Sequence, residues 1–168
     1  LAGPVREALW NAGLLEPTEP QRRAIPPILE GDNVLLTAPT GSGKTEACLL
    51  PVFSNFIKDR PESGVSILYV TPLRALNRDM LRRMTYWGDC LGMHIEVRHG
   101  DTPQVERRRQ AVKPPDMLIT TPETLQAILP GRLMGRHLKA VRWVIVDEVH
   151  ELAEDRRGTQ LVFGFREA

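Results

Sequence analysis

The chain has 168 residues, 42% of them hydrophobic, which is enough to bury one sizeable core and is most simply one domain. Lysine and arginine number 22 against 21 aspartates and glutamates, so the net charge of +1 excludes recognition of a partner by overall charge and leaves only local clusters. The chain has no long apolar run or signal peptide, and Cys48 and Cys90 show no metal spacing, so we expect a soluble cytoplasmic protein without a disulfide or membrane contact.

Two short helices are predicted in the first 31 residues. The first covers residues 4–12 and is closed by Gly13, and the second covers residues 19–29 and is stopped by Gly31. Thr18 or Glu19 can cap the second helix, because short polar side chains accept hydrogen bonds from the first helical N–H groups.

A glycine-rich turn follows, between two apolar segments. Residues 33–37 predict a strand, residues 38–45 (Ala-Pro-Thr-Gly-Ser-Gly-Lys-Thr) a tight turn, and the next apolar stretch a helix that continues to Ile57 with a kink at Pro51. Strand, glycine-rich turn and helix together are the context of a phosphate-binding loop.

The residue types of this turn suit a phosphate group. Gly41 and Gly43 let successive N–H groups face one anion, and the helix beginning near Lys44 directs its positive end to the same place. Lys44 adds a cation, and the Thr45 hydroxyl can bind Mg²⁺. Ala38 replaces the first glycine of the general pattern, but two glycines remain in the turn. The predicted nucleotide contacts are Thr40, Gly41, Ser42, Gly43, Lys44 and Thr45.

Gln21 lies just upstream of this loop, at the start of the second predicted helix. A glutamine amide can donate and accept at once, which is what reading one edge of adenine requires. The alternative is an ordinary solvated helix residue.

Four further apolar segments predict strands at residues 66–70, 94–98, 117–119 and 143–146. Helical patterns separate most of them, which indicates an α/β protein with a parallel sheet and helices on its faces. The segment 94–98 alternates between apolar and polar residues and so is expected near an edge of the sheet.

Three Thr-Pro pairs follow these strands: Thr71-Pro72, Thr102-Pro103 and Thr121-Pro122. Threonine before proline is a good helix start, and helix N-termini at the carboxyl edge of a parallel sheet form a track suited to phosphates. Ordinary helix capping is the alternative for any one of the three.

The predicted helix after Thr71 has a packing face (Leu76, Met80, Met84, Trp87) and a cationic stripe (Arg74, Arg78, Arg82). Arg74 is expected beside the track, and the rest of the stripe is expected to be solvated. Arg98, His99 and Gly100 end the third strand as candidate nucleic-acid contacts, and residues 107–109 are expected to be mostly solvated.

Adjacent acids end the last strand. Asp147 can hold Mg²⁺ through water, and Glu148 can orient or deprotonate an attacking water. His150 could relay the nucleotide state to the rest of the protein, or could be a plain surface histidine.

These segments resemble, in order, five motifs of the superfamily 2 helicases: Gln21, Ala38 to Thr45, Thr71-Pro72-Leu73-Arg74-Ala75-Leu76, Thr121-Pro122-Glu123 and Asp147-Glu148-Val149-His150. The Asp-Glu-x-His form differs from the DEAD-box branch, whose last position is aspartate. Further segments resemble the Lhr (large helicase-related) proteins: Leu73 to Met80, His99-Gly100-Asp101-Thr102, and Asp147 to Leu152 followed by Arg157-Gly158.

The resemblance implies a RecA-like P-loop NTPase fold, with residues 1–168 forming the first, incomplete RecA-like domain and residues 1–31 its Q-motif helical segment. It implies ATP and Mg²⁺ as cofactors and 3′ to 5′ movement on single-stranded or forked nucleic acid, DNA rather than RNA. The resemblance implies that Arg74 and Thr121 contact the strand backbone. The full set of predicted nucleic-acid contacts is Thr71, Pro72, Arg74, Arg98, His99, Gly100, Thr121, Pro122 and Glu123.

Residues 149–168 hold no Ser/Thr-Ala-Thr motif and no second RecA-like domain, whose arginines would complete the site. We therefore expect a truncated chain that binds nucleotide weakly and hydrolyses it very poorly by itself. An ATP-gated module that binds nucleic acid or protein without separating strands is the alternative function, although a complete Lys44 and Glu148 favour an enzyme.

Overall fold

The computed structural model describes residues 1–61 and 63–149, and the chain divides into two compact units, Leu1–Pro61 and Glu62–Ala168. The first unit contains three helices: α1 (Gly3–Asn11), α2 (Glu19–Glu30) and α3 (Lys44–Lys58). All three helices agree with the sequence prediction, and α3 passes through Pro51 without ending.

Helix α3 provides the core of the first unit. Its buried side chains include Leu49, Phe53 and Phe56, which are fully removed from solvent. Helix α2 packs along α3, and the backbone N–H of Ala2 donates to Ser54 Oγ at 2.8 Å, which ties the start of α1 to the same helix. The loop before α3 is therefore anchored to a helix that is buried along most of its length.

The strand predicted at residues 33–37 is absent from the structure. Residues 32–39 form neither helix nor strand, and Leu35 is 80% exposed. A strand is stable only when its backbone pairs with a neighbour. The described part of the first unit contains no other strand, so this apolar segment has no pairing partner within it.

The second unit is built on a four-stranded parallel sheet. Its strands are β1 (Ile67–Val70), β2 (Ile95–Arg98), β3 (Met117–Thr120) and β4 (Trp143–Val146), in the order β2-β3-β1-β4. The four predicted strands are confirmed to within a residue, and β2 lies at an edge as its alternating pattern indicated.

Within residues 63–149, four helices accompany these strands: α4 (Arg78–Leu91), α5 (Gln104–Val112), α6 (Pro122–Ile128) and α7 (Met134–Leu138), with a 3₁₀ turn at Leu73–Ala75. On one face of the sheet, Leu68, Val70 and Leu118 pack with Leu125 of α6 and Met134 of α7. On the other face, Gly88 of α4 approaches the Ile95 side chain. Helices therefore cover both faces of this sheet, as predicted. Across residues 1–61 and 63–149, no helix is long and apolar enough to cross a membrane.

The packing of the second unit predicts a sharp difference between two leucines. Leu118 is fully buried and Leu133 is 61% exposed. Leu118→Ala leaves a cavity, so we expect it to lower the free energy of unfolding by about 3 kcal/mol, whereas Leu133→Ala should change it by less than about 0.5 kcal/mol. Urea unfolding followed by circular dichroism measures both, and equal losses would contradict the packing described.

Candidate nucleotide and nucleic-acid site

The glycine-rich loop of the first unit has the backbone that a phosphate cradle needs. Gly41 and Gly43 have φ values of 77° and 84°, in the left-handed region that glycine adopts without strain. Ser42 closes the turn, because its Oγ donates to the Pro39 carbonyl at 2.7 Å. Gly43 caps α3, so the first N–H groups of that helix lie directly after the turn.

Lys44 folds back over the loop. Its Nζ donates to the Ala38 carbonyl oxygen at 2.6 Å, and the side chain is half-buried. A phosphate oxygen is a stronger acceptor for an ammonium group than a peptide carbonyl is. The lysine is therefore already at the loop and can exchange one acceptor for the other, so the residues present fit a phosphate group.

Gln21 joins the start of α2 to this loop through the two ends of its amide. Oε1 accepts from the Thr18 N–H at 3.1 Å, and Nε2 donates to the Gly43 carbonyl at 3.3 Å. An added Cβ at Gly43 would lie 2.7 Å from Gln21 Nε2, and the φ of 84° would strain any residue with a side chain at this position. Gln21 thus links the start of α2 to the turn; its reading of adenine stays a prediction.

In the second unit, the carboxyl ends of the strands form one continuous row. The Thr120 hydroxyl at the end of β3 donates to the Arg98 carbonyl of β2 at 2.8 Å, and the Thr71 N–H after β1 donates to the Thr120 carbonyl at 3.0 Å. The Asp147 N–H after β4 donates to the Val70 carbonyl at 2.9 Å. The structure therefore places the predicted strand contacts and the acidic pair along the same sheet edge.

The carboxylate of Asp147 is held by two hydrogen bonds. Asp147 Oδ1 accepts from the Glu148 N–H at 3.0 Å, and Oδ2 accepts from the Tyr69 hydroxyl at 2.8 Å. Glu148 has a φ of 52°, the one non-glycine residue with positive φ among those described, and such a conformation costs about 1 kcal/mol. The carboxylate of Asp147 keeps free lone pairs, as a water-mediated magnesium ligand needs.

Tyr69 was not identified from the sequence as a site residue. Its hydroxyl is the one polar group in an otherwise apolar strand, Ile-Leu-Tyr-Val, and that exception is the signal the sequence offered. The signal is weak, because a buried tyrosine normally finds some hydrogen-bond partner whatever its role.

Only one of the three Thr-Pro pairs starts a helix in the predicted way. Thr121 caps α6, accepting from the Thr124 N–H at 3.4 Å, with Pro122 in the first turn. Thr71 caps nothing: α4 begins at Arg78, and Asn77 caps it by accepting from the Met80 N–H.

The threonine at the third pair is used differently again. Thr102 Oγ accepts from the His99 N–H at 2.9 Å inside the preceding loop, and α5 begins only at Gln104. The predicted caps are therefore wrong for Thr71 and Thr102. For Thr71, the helix begins later and is capped by Asn77, and asparagine is a stronger cap than threonine. For Thr102, the hydroxyl is already bonded to the His99 N–H within the loop.

The cationic stripe is also shorter than predicted. Arg74 lies in the 3₁₀ turn, while Arg78 and Arg82 lie on α4, so the three arginines do not share one helix. Arg74 is exposed in the turn that follows Thr71 and Pro72, which are both buried. Arg74 therefore lies next to the predicted track, at the carboxyl edge of β1, although it is not part of a single-helix stripe.

Arg98, at the end of β2, has guanidinium nitrogens that are buried at the sheet edge. Within the described residues its Nε and Nη1 atoms are buried and have no hydrogen-bond partner. Burial lowers the pKa of Arg98, and the positive charge of Arg107 lowers it further. Guanidinium nitrogens that are buried without a hydrogen-bond partner lower the stability of a protein, and an anion bound beside them would satisfy them.

Arg107 holds the loop between β2 and α5. Its guanidinium donates to the carbonyls of Thr102, at 2.7 Å, and of His99 and Gly100. The expectation that residues 107–109 are solvated is therefore wrong for Arg107, which is half-buried. This arginine fixes the backbone that carries two of the predicted nucleic-acid contacts.

Glu123 and His150 complete the predicted set. Glu123 lies exposed in the first turn of α6, directly after the Thr121 cap. His150 lies outside the described residues.

The fold class and these groups are those of a P-loop nucleoside triphosphate-binding protein with a RecA-like α/β fold. A family model described as DEAD/DEAH box helicase matches residues 18–167. The chain belongs to the DEAD/DEAH box helicase family.

The similarity to Lhr proteins is confirmed. ATP-dependent helicase Lhr-Core protein 2 of Thermococcus barophilus is 41% identical over 181 aligned positions, covering 96% of this chain and 20% of that protein. The structure of Mycobacterium smegmatis helicase Lhr bound to ssDNA and AMP-PNP has 36% identity and a TM-score of 0.85, covering 97% of this chain and 22% of that one.

A third comparison is with the DEAD-box helicase Mss116 bound to ssRNA and UDP-BeF, at 25% identity and a TM-score of 0.85, covering 96% of this chain and 34% of that one. The chain spans about a fifth of the length of the curated Lhr-Core relatives it matches.

The state of Arg98 leads to a prediction about stability. Arg98→Met keeps the length of the side chain and removes the unpaired charge, so we expect the free energy of unfolding to stay equal or to rise by up to about 1 kcal/mol. Arg108→Met, at an exposed position on α5, serves as the control and should change it by less than about 0.5 kcal/mol. Urea unfolding at low salt measures both variants. A loss of more than about 1 kcal/mol for Arg98→Met would show that the guanidinium stabilises the folded chain.

Proposed function

We propose that this chain is the ATP-binding half of an ATP-dependent nucleic-acid helicase or translocase that couples hydrolysis of Mg²⁺·ATP to movement along a single strand. The observation that carries the proposal is the glycine-rich turn before α3 with Lys44 folded over it. Family membership supports the same function, because the relatives of this chain are ATP-dependent helicases.

In the proposed nucleotide site, each residue has a separate role. The loop residues 40–45 bind the phosphates, Lys44 neutralises their charge, and Gln21 reads adenine while bracing the loop through Gly43. Thr45 and Asp147 hold Mg²⁺, which supplies positive charge to the phosphate oxygens when it is bound. Glu148 accepts a proton from the attacking water, and His150 relays the nucleotide state.

The proposed nucleic-acid track runs along the carboxyl edge of the sheet. Buried polar atoms without partners support it, since Thr71 Oγ1 and two nitrogens of Arg98 are of this kind within the described residues. Buried polar atoms that lack a hydrogen-bond partner in the protein can be paired by a bound ligand or by water. Backbone contacts of this kind bind a strand without reading its sequence. The proposed contacts are Thr71, Pro72, Arg74, Arg98, His99, Gly100, Thr121, Pro122 and Glu123.

We propose DNA as the preferred strand and 3′ to 5′ as the direction, on the similarity to Lhr proteins. The M. smegmatis Lhr structure contains ssDNA, whereas the Mss116 structure contains ssRNA. The higher identity to the Lhr protein, 36% against 25%, favours DNA. We also propose a second RecA-like domain in the full-length protein, because its arginines would complete the ATP site, and residues 1–168 as part of the first.

Nucleotide binding by this chain tests the proposal directly. We expect Lys44→Ala to weaken binding of a fluorescent ATP analogue at least about tenfold, because it removes a charge-assisted hydrogen bond to phosphate. Lys58→Ala removes an exposed lysine from the other end of the same helix and should leave the affinity unchanged. Equal affinity for the two variants would contradict the phosphate-binding role of the loop.

The same chain, titrated with single-stranded oligonucleotide at two salt concentrations, tests the track. Contacts to phosphates release counterions, so affinity should fall as salt rises, and Arg98→Met should weaken it more than Arg108→Met does. Nucleotide binding without any oligonucleotide binding would leave the phosphate loop standing and remove the track from this chain.

Strand displacement by the full-length protein distinguishes a helicase from an ATP-gated binding module. Glu148→Gln removes the proposed base while keeping the size of the side chain, so we expect hydrolysis and displacement to fall about a hundredfold or more with nucleotide binding retained. A wild-type protein that binds the forked substrate when ATP is present but never separates its strands would favour the binding module.

A further inference from the structure

Tyr69 places a hydroxyl group inside the sheet, where an apolar side chain would be the simpler choice. Its side chain is 1% exposed, and its neighbours in β1 are Ile67, Leu68 and Val70. Burying a hydroxyl group costs free energy unless it is hydrogen-bonded. The Tyr69 hydroxyl donates to Asp147 Oδ2 at 2.8 Å, between residues that are 78 positions apart in the chain.

The strand register explains how this contact arises. Tyr69 pairs with Ile145 in β4, and Asp147 follows two residues later, so the side chains of Tyr69 and Asp147 point to the same face of the sheet. Two residues of a parallel strand advance about 6.6 Å, which is close to the reach of a tyrosine side chain. The hydroxyl therefore meets the carboxylate at the carboxyl end of the sheet.

The second carboxylate oxygen of Asp147 is held from the other side. Oδ1 accepts from the Glu148 N–H, so each oxygen receives one donor and keeps lone-pair capacity for another partner. Two donors on two oxygens set the rotation of the carboxylate group. The left-handed backbone at Glu148, with a φ of 52°, belongs to the same turn.

We propose that Tyr69 is a positioning residue, whose hydroxyl holds Asp147 in the orientation in which it binds Mg²⁺ through water. This inference rests on the proposed function, because it takes Asp147 as the metal-side acid. Hydrogen-bond donors to a metal-binding carboxylate orient it, and the loss of such a partner typically lowers metal affinity by about 10- to 100-fold. In this proposal Tyr69 acts on the metal through Asp147.

The test compares two tyrosines in this chain. Tyr69→Phe removes only the hydroxyl from the buried ring, and Tyr86→Phe makes the same change on α4. The measurement is the half-saturating concentration of Mn²⁺ in the presence of ADP, from the electron paramagnetic resonance signal of free Mn²⁺. ADP affinity in EDTA is measured alongside. We expect Tyr69→Phe to raise the Mn²⁺ concentration about tenfold with the metal-free ADP affinity unchanged, and Tyr86→Phe to change neither.

A cycle with Asp147→Asn separates positioning from a general effect on folding. If Tyr69 acts through Asp147, adding Tyr69→Phe to Asp147→Asn changes Mn²⁺ binding by less than about twofold. Equal Mn²⁺ binding by the Tyr69→Phe and Tyr86→Phe chains would overturn the proposal. The proposal would also be overturned if Tyr69→Phe raised the Mn²⁺ concentration as much in the Asp147→Asn chain as in the wild-type chain, because the tyrosine would then act without Asp147.

The proposed function fails in a different way. If Asp147→Asn leaves Mn²⁺ binding unchanged while Lys44→Ala abolishes ADP binding, the phosphate loop stands but Asp147 is not the metal-side acid, and the role of Tyr69 falls with it. If the wild-type chain binds neither ADP nor Mn²⁺·ADP, the nucleotide site itself is wrong.

Discussion

The register of four parallel strands is the constraint on which the second unit depends. Hydrogen bonds link the strand ends. The Thr120 hydroxyl donates to the Arg98 carbonyl, and backbone bonds join Thr71 to Thr120 and Asp147 to Val70. Because parallel strands all end at the same edge, polar residues that are far apart in the chain come to lie in one row. A slip of one residue in β4 would turn Asp147 away from Tyr69 and remove the acid from its partner.

Several features of this row are unfavourable for stability. Among the residues that the structure describes, two guanidinium nitrogens of Arg98 and the hydroxyl of Thr71 are buried without a partner, and Glu148 has a left-handed backbone. Each of these features is unfavourable by itself, and they all lie at the same edge of the sheet. The proposed nucleic-acid strand and metal-bound nucleotide would satisfy the groups that folding leaves unpaired.

In the first unit, hydrogen bonds from three side chains to carbonyl groups hold the phosphate loop in shape. Gln21, from outside the loop, bonds to the Gly43 carbonyl, and within the loop Ser42 bonds to the Pro39 carbonyl and Lys44 to the Ala38 carbonyl. The loop is thus shaped before a nucleotide arrives, which reduces the ordering that binding requires. Helix α3, buried along most of its length, keeps the end of the loop in place.

The sequence by itself determined the features that are local. The three helices of the first unit, the four strands of the sheet, the glycine turn and the acidic pair follow from hydrophobic period, glycine, proline and short motifs, all of which act within a few residues. Tertiary structure alone decided which threonine caps a helix, that residues 33–37 form no strand, that Arg107 braces a loop and that Tyr69 bonds to Asp147. These four features depend on which groups compete for the same hydrogen bond or on which strands pair over long distances in the chain. The hydrophobic periodicity of a single segment carries information about neither.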